Sequence, residues 1–279
     1  MRTPRDRHFR WPTSRSRQAD PFAARSASRR SAWGRPRPFA RPRQPRRRAS
    51  AASRPRLSSA VRAGSRVGFE LAIFDNDGVL IDSEPIGCGV LSFLLSEWGY
   101  RRTPEQCLAD FQGTSFSHLR ELVQGRTGRR LPDDFHTRYQ ELLFSRFRSE
   151  LQTVPGVRAA LERIPLRKCV ASSASRSKVR FTLDVTGLAP FFGEDFYGAH
   201  GLCRGKPAPD IFFHAAEQMG VDPSRCAVIE DSRAGVEAAN GAGMACFAYC
   251  GRTRREQLKP DRGSLFDAMD KLPALLAST

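Results

Sequence analysis

Short runs of apolar residues recur along the chain from residue 70 onward, separated by longer stretches with helical spacing. Four of these runs predict strands, at 70–74 (ELAIF), 167–171 (RKCVA), 226–230 (CAVIE) and 244–248 (MACFA). Continuous apolar and partly β-branched runs of this length are typical of parallel strands that are buried on both faces.

The stretches between these strands predict helices. Residues 175–187, 209–220 and 233–243 have apolar positions at helical spacing, and each stretch ends in Gly, which commonly terminates a helix. Alternating strands and helices predict an open, doubly wound α/β fold with a parallel, Rossmann-like sheet. A sheet of this kind binds its ligand at the carboxyl ends of its strands.

The interval 84–151 departs from this alternation. Its segments have helical spacing with no strand between them, and it is too long for an ordinary loop. We interpret it as a small helical domain that is inserted after the first strand. The predicted core domain then comprises residues 67–83 and 152–279, and the insertion would lie over the ligand site.

The charge of the chain is concentrated at its N-terminus. Residues 1–66 hold 20 Arg, no Lys and two Asp, a net charge of +18, whereas the whole chain has +17. Residues 67–279 therefore carry a net charge of −1. Residues 1–66 also contain eight Pro and ten Ser and show no periodic apolar pattern, so we expect a disordered extension.

Several origins of this extension stay open. Its Arg-rich, acid-poor composition resembles an organelle transit peptide, although its prolines oppose the amphipathic helix that such peptides often form. It also fits translation from a start upstream of the true one, since Val67 directly precedes the first strand. A basic arm that binds nucleic acid is disfavoured because no binding fold accompanies it.

The cysteines indicate a reducing compartment. Seven Cys without a C-x-x-C pair predict neither a disulfide framework nor a zinc site. No apolar run reaches the length of a membrane span. We therefore expect a cytoplasmic monomer without a membrane partner.

The first strand is followed by two carboxylates. Asp75 and Asp77 are two positions apart, so both can lie on one side of the chain, and Gly78 allows a tight turn after them. Because neighbouring carboxylates repel each other, a hard cation with oxygen ligands such as Mg²⁺ would stabilise the pair. Alone, this pattern also fits a turn or a cap.

Other strand ends add groups of the same chemistry. Ser172 follows the second strand, and Glu230 and Asp231 end the third. Lys206 lies in the irregular segment before the third strand. Carboxylates, a hydroxyl and one cation at a single sheet edge predict a site for a metal and a phosphate.

Four segments, FDNDGVLIDSE, ASSAS, GKPAPD and VIEDSRAGVEAANGAGM, together resemble the four motifs of the haloacid dehalogenase superfamily, specifically its capped phosphatases. The resemblance covers about residues 70–250. It implies that Asp75 is the nucleophile, that Asp77 is the general acid and base, and that Lys206 and Ser172 bind phosphoryl oxygens. It also implies Mg²⁺ held by Asp75, the backbone carbonyl of Asp77 and Asp231, with Glu230 nearby.

The resemblance narrows the reaction. Dehalogenases of the superfamily lack an acid at the position of Asp77, because a halide leaves without a proton, so Asp77 favours phosphoryl transfer. The expected activity is Mg²⁺-dependent hydrolysis of a small phosphorylated metabolite (a sugar, polyol or sugar-acid phosphate such as 6-phosphogluconate) through an aspartyl phosphate.

Two alternatives stay open. One is a sugar phosphomutase of the β-phosphoglucomutase type, whose cap carries basic residues where this chain has Gln112 and Phe116. The other is a phospho-acceptor domain without enzymatic activity, which would need neither Asp77 nor a cap. Within the insertion, Gln112, Gly113 and Thr114 are the candidate substrate contacts. One or two of its many Arg are candidates for holding a second anionic group of the substrate.

Overall fold

The computed structural model describes residues 68–111 and 116–278, so the predicted extension at residues 1–66 lies outside the described part. Six strands form one sheet in the order β3-β2-β1-β4-β5-β6, and every neighbouring pair is parallel. The strands are β1 (Leu71–Phe74), β2 (Arg167–Ser172), β3 (Phe196–Gly198), β4 (Cys226–Glu230), β5 (Ala245–Tyr249) and β6 (Gly263–Phe266). The predicted open α/β fold is confirmed.

Helices flank the sheet and fill the interval between β1 and β2. They are α1 (Glu84–Glu97), α2 (Pro104–Phe111), α3 (Phe116–Thr127), α4 (Phe135–Glu150), α5 (Val157–Arg163), α6 (Arg176–Thr186), α7 (Asp210–Met219), α8 (Arg233–Gly241) and α9 (Leu272–Ala277). Short 3₁₀ helices occupy Ala189–Phe191, Pro223–Arg225, Arg255–Gln257 and Met269–Lys271. Within the described residues, no helix has both the length and the apolar character of a membrane span.

The sheet is buried on both faces, as its apolar strands predict. Along β1, Ala72 and Phe74 pack into one apolar cluster, whereas Leu71 and Ile73 pack into the cluster on the opposite face. All four side chains are fully buried. This central strand therefore gives the residues that follow it a rigid support.

Helices α1–α4, termed the helical insertion here, have an apolar cluster of their own. Val90, Leu94, Val123 and Phe135 are among its buried members. Further along α4, Phe147 belongs instead to a cluster that includes strand residues. The predicted insertion boundaries at 84 and 151 lie next to the start of α1 and the end of α4, while the division into two domains stays a prediction.

The segments that enter and leave the helical insertion run side by side. The Asp82 amide donates to the Gln152 carbonyl and the Val154 amide donates to the Leu80 carbonyl, both at 3.0 Å. Ile81 and Thr153 form an antiparallel bridge between these two hydrogen bonds. We call residues 80–82 and 152–154 the paired linker.

Candidate active site

The topology brings the ends of β1 and β4 together at the centre of the sheet. The chain adds β2 and β3 on one side of β1 and then crosses to add β4 on the other side. Ligands of open α/β sheets bind at such a reversal, beyond the carboxyl ends of the strands. Asp75 directly follows β1, and its amide donates to the carbonyl of Ile229 in β4 at 2.9 Å. The carboxylate of Asp75 is thereby fixed at this reversal.

The chain turns sharply after Asp75. The Leu80 amide donates to the Asn76 carbonyl at 3.0 Å, and Gly78 has a positive φ of 82°. A Cβ atom on Gly78 would lie 2.1 Å from an Asp231 carboxylate oxygen. Glycine is therefore required here both for the turn, as the sequence predicts, and for the close approach of Asp231.

Three carboxylates and one ammonium group form the centre of the site. Oxygen atoms of Asp75, Glu230 and Asp231 lie within 4.8 Å of one another, and all three residues are buried. The Lys206 ammonium donates to Asp75 Oδ1 at 2.5 Å, to Glu230 Oε1 at 2.5 Å and to the Ala171 carbonyl at 3.1 Å. The structure thus brings together the four residues that the sequence placed on separate strand ends and loops.

Glu230 is held by the start of α8. Its Oε2 atom accepts hydrogen bonds at 2.9 Å from the Asp231 amide, the Ser232 amide and the Ser232 hydroxyl. Its other oxygen accepts from Lys206. Both oxygens of Glu230 are therefore engaged by the protein, and this carboxylate anchors Lys206 beside Asp75.

Burial and neighbouring charges shift the pKa values of these groups. Burial raises the pKa of Asp75 to about 7, with Lys206 opposing this rise and Glu230 adding to it. Burial together with Glu230 and Asp75 also raises the pKa of Asp231 well above its ordinary value. Burial alone would lower the pKa of Lys206, but Asp75 and Glu230 outweigh it and raise that pKa.

The cluster has the charge and chemistry of a divalent cation site. If all three carboxylates ionise, Lys206 leaves an excess of two negative charges in a buried space. Hard divalent cations take carboxylate and carbonyl oxygens as ligands. Asp231 fits this role because its carboxylate is packed against Gly78, and because burial and the neighbouring carboxylates raise its pKa, which a bound cation would offset. The residues present therefore fit such a cation.

Asp77 lies in a different environment. Its Oδ1 accepts from the Ser83 hydroxyl at 2.6 Å and from the Lys178 ammonium at 3.0 Å. Burial alone would raise the pKa of Asp77, but Lys178 and the hydrogen bond from Ser83 outweigh it, so that pKa lies below its ordinary value. At the end of β1, the pKa of Asp75 is therefore raised while the pKa of Asp77, two positions later, is lowered.

Ser83 and Lys178 are site residues that the sequence did not predict. Lys178 lies in the first turn of α6, 101 positions from Asp77, and a lysine on an amphipathic helix is usually only a solvated residue. Ser83 lies in the FDNDGVLIDSE segment, where the sequence gives it no role, and it directly precedes α1. This position is typical of a helix cap, yet the Ser83 side chain makes no cap hydrogen bond. The Ser83 hydroxyl donates to Asp77 and does not cap the helix.

The remaining predicted site residues are placed as follows. Ser172 is the last residue of β2, is buried, and accepts a hydrogen bond from the Ala174 amide at 3.1 Å. It follows Ala171, whose carbonyl contacts Lys206, so Ser172 lies at the same edge of the sheet. Gln112, Gly113 and Thr114 lie outside the described residues.

A cavity of about 320 Å³ adjoins Asp77. Asp77, Ser83 and Lys178 contribute to its wall from the core, and residues of α1–α4 supply the rest. The helical insertion therefore encloses a space that reaches the carboxylate at the end of β1.

Comparisons with known proteins agree with this architecture. The family model of haloacid dehalogenase-like hydrolases matches residues 69–243. The chain is 28% identical over 208 residues to the 6-phosphogluconate phosphatase of Escherichia coli (strain K12), covering 74% of this chain and 94% of that protein. It is 30% identical over 183 residues to hexitol phosphatase A of the same organism, covering 63% of this chain and 81% of that protein.

A solved structure is similar to this chain in both fold and sequence. A haloacid dehalogenase-like protein of unknown function from Agrobacterium tumefaciens aligns with a TM-score of 0.69 and 34% identity. The alignment covers 76% of this chain and 99% of that chain. The likeness therefore extends over the sheet and the helical insertion together.

Proposed function

This chain belongs to the haloacid dehalogenase-like hydrolases and is a phosphoric monoester hydrolase, and on that premise we propose that it hydrolyses phosphate esters of small metabolites with Mg²⁺ as its cofactor. Sugar, polyol and sugar-acid phosphates such as 6-phosphogluconate are the proposed substrate class. The 6-phosphogluconate phosphatase and the hexitol phosphatase A of Escherichia coli, to which the chain is similar, support this class. We further propose that the protein acts as a cytoplasmic monomer.

One observation carries the proposal. The Lys206 ammonium lies 2.5 Å from Asp75, while Asp77, two residues away, is held separately by Ser83 and Lys178. A phosphoryl group at Asp75 would find a cation for its oxygens and a second carboxylate near its leaving group. Neutralising charge and managing a proton are the two needs of phosphate ester hydrolysis.

In the first half of the proposed reaction, a carboxylate oxygen of Asp75 attacks phosphorus and the bond between phosphorus and the ester oxygen breaks. Asp77 donates its proton to the departing alkoxide. The dianionic phosphate beside Asp77 would raise its low pKa toward a value at which it can carry that proton. The product of this step is an alcohol and an aspartyl phosphate.

In the second half, Asp77 accepts a proton from a water molecule that attacks the aspartyl phosphate. The bond between phosphorus and Asp75 breaks, which releases inorganic phosphate, restores the Asp75 carboxylate and leaves Asp77 protonated as at the start of the reaction. Throughout, Lys206 and Ser172 bind the phosphoryl oxygens. A divalent cation held by Asp75, the Asp77 backbone carbonyl and Asp231 would neutralise phosphoryl charge when bound.

The sugar phosphomutase stays as the second candidate for the same site. Its intermediate would be the same aspartyl phosphate, but the phosphoryl group would then pass to a second sugar hydroxyl instead of to water. Water is the favoured acceptor because this chain has Gln112 and Phe116 where such mutases carry basic residues.

Phosphate release from a panel of phosphorylated sugars, polyols, sugar acids and nucleotides tests the proposal. Each compound is assayed with Mg²⁺ and with EDTA. Release that depends on Mg²⁺ is the expected result, and the preferred compound defines the substrate. Isomerisation of a hexose phosphate without phosphate release would replace hydrolysis by the mutase reaction. Phosphate release that EDTA leaves unchanged would contradict the proposed Mg²⁺ cofactor.

A further inference from the structure

The cavity beside Asp77 has mostly apolar walls. We call it the insertion cavity, because within residues 68–111 and 116–278 the helices α1–α4 supply all of its wall except Asp77, Ser83 and Lys178. The apolar side chains include Leu91, Leu108, Phe111, Leu119, Leu143 and Phe147. Its volume of about 320 Å³ lies at the small end of the range for sites of small molecules. The leaving group next to Asp77 would therefore meet a compact apolar space.

Few charges face this space. Among the described residues that line the insertion cavity, Lys178 is the one Lys or Arg, and its ammonium is already paired with Asp77. Glu84 adds a second carboxylate to the wall. A carboxylate on the leaving group would thus be brought close to two acidic residues, which disfavours its transfer out of water.

Three arginines in the region from α1 to α4 pair with acidic residues outside the cavity wall. Arg102 and Arg126 both pair with Asp110, and Arg138 pairs with Glu97 at 2.8 Å. None of the arginines in the described part of the helical insertion lines the cavity. The expectation that one of them holds a second anionic group therefore finds no support in the described residues.

Two residues of α4 bring polar groups to the cavity wall, namely Tyr139 and the exposed His136. Tyr139 lines it and is mostly buried, and among the described residues its hydroxyl has no hydrogen-bond partner. Burial raises the pKa of Tyr139, so this hydroxyl stays neutral. It is therefore suited to a neutral hydroxyl of the substrate.

From this geometry we propose that the preferred substrate has an uncharged leaving group, a neutral polyol or sugar whose carbon skeleton packs in the insertion cavity and whose hydroxyl contacts Tyr139. The proposal rests on the proposed phosphatase activity and narrows its substrate class. Sugar-acid phosphates are then poor substrates, because in the described wall Lys178 is already paired with Asp77 and His136 lies at an exposed position.

Two esters that differ at one terminal carbon test the proposal directly. Glucitol 6-phosphate ends in a CH₂OH group where 6-phosphogluconate carries a carboxylate. The wild-type protein should hydrolyse the neutral ester with kcat/KM at least about tenfold higher, the scale of discrimination that a binding pocket commonly supplies. Equal values, or preference for the acid, overturn the proposal while leaving the phosphatase activity intact. Release from no ester of any kind overturns both.

A charge introduced into the cavity wall provides the reverse test. Leu108 lines the cavity and is half-buried, so Leu108→Arg would place a cation in the wall with little disturbance. This variant should raise kcat/KM for 6-phosphogluconate relative to glucitol 6-phosphate. Leu122→Arg is the matched control, because Leu122 is a half-buried leucine of the same insertion that does not line the cavity. An unchanged ratio in a folded Leu108→Arg protein contradicts the proposal.

The Tyr139 contact has its own test, which needs no new charge. Tyr139→Phe removes one oxygen and should raise KM for glucitol 6-phosphate several-fold with a smaller effect on kcat. Tyr197→Phe serves as the control, since the Tyr197 hydroxyl contacts the Met219 sulfur and Tyr197 does not line the cavity. Equal KM values in the two variants would remove Tyr139 from the proposed site.

Discussion

At the scale of single residues, the two aspartates after β1 have the same side chain but different partners. Burial raises the pKa of Asp75 to about 7, with Lys206 opposing this rise and Glu230 adding to it, whereas Lys178 and Ser83 lower the pKa of Asp77 despite burial. Divergent environments of neighbouring titratable groups commonly accompany different roles in catalysis. The sequence predicted the aspartate pair from its spacing, but the 101 positions between Asp77 and Lys178 hid the ion pair.

Replacing Asp75 tests the nucleophile. Asp75→Asn should reduce phosphate release by at least about 10³-fold, because the reaction loses the atom that attacks phosphorus. The variant should stay folded, since it removes one charge from a crowded carboxylate cluster. Asp261→Asn, at an exposed position, is the control. Thermal melting and phosphate release measure the two effects, and an active Asp75→Asn protein would refute the assigned nucleophile.

Replacing Lys178 tests whether this residue lowers the pKa of Asp77. Because Lys178 lowers the pKa of Asp77, Lys178→Met should raise that pKa. If Asp77 must be protonated to expel the alkoxide, kcat/KM falls as pH rises through this pKa, so the alkaline limb of the profile should move to higher pH. Lys178→Arg keeps the charge and should largely preserve the wild-type limb. The pH dependence of kcat/KM for all three proteins gives the answer, and coincident limbs would contradict this role.

At the scale of elements, the sequence predicted the four central strands but missed the two edges. The central strands β1, β2, β4 and β5 are largely buried and consist mainly of apolar residues. Strand β3 has only three residues, and β6 starts at an exposed Gly263, so neither gives a continuous apolar run. Edge strands have one neighbour and need less burial, which weakens their signal in a sequence.

A prediction at the scale of elements concerns helix α8, because its residue Gly235 packs against the Glu230 carboxylate. A Cβ atom on Gly235 would lie 1.9 Å from the Glu230 carboxylate carbon, whereas one on Gly241 would lie 3.7 Å from Pro209. Gly235→Ala should therefore displace Glu230 and destabilise the protein by about 1–3 kcal/mol, the usual cost of overpacking. Displacing the anchor of Lys206 should also lower kcat.

The same helix contains the matched control. Gly241→Ala adds the same methyl group at a position with room for it, and alanine is favoured over glycine in a helix by about 0.5–1 kcal/mol. Its melting temperature should equal or exceed that of the wild type. Chemical denaturation of both variants measures the difference, and equal stability of the two would show that Glu230 moves aside without cost.

At the scale of the whole molecule, the charge distribution separates two parts of the chain. Residues 1–66 carry a net charge of +18, while residues 67–279, which contain every candidate catalytic residue, carry −1. The sequence predicted which catalytic groups lie close together, because these groups follow strands and the sheet fixes the positions of the strand ends. The enclosure by α1–α4 depends on packing between helices, and no local pattern in the sequence specifies that packing.

Removing the basic extension provides the prediction at this scale. A protein that starts at Val67 should keep kcat/KM within about twofold of the full chain, since removing residues outside a catalytic site rarely changes its chemistry. Its binding to a cation exchanger should be lost because the net charge falls from +17 to −1. Steady-state kinetics and ion-exchange elution test both statements. A large loss of activity would mean that residues 1–66 contribute to the active site.

The paired linker has a consequence for how proteins of this architecture diversify. Because Leu80 and Val154 are hydrogen-bonded neighbours, the chain leaves the core and returns to it at almost the same point. A segment with adjoining ends can be lengthened, exchanged or lost while the sheet and its strand ends stay in place. The chemistry of Asp75 and its neighbours can thus be inherited unchanged while the helices above it are rebuilt for a new substrate.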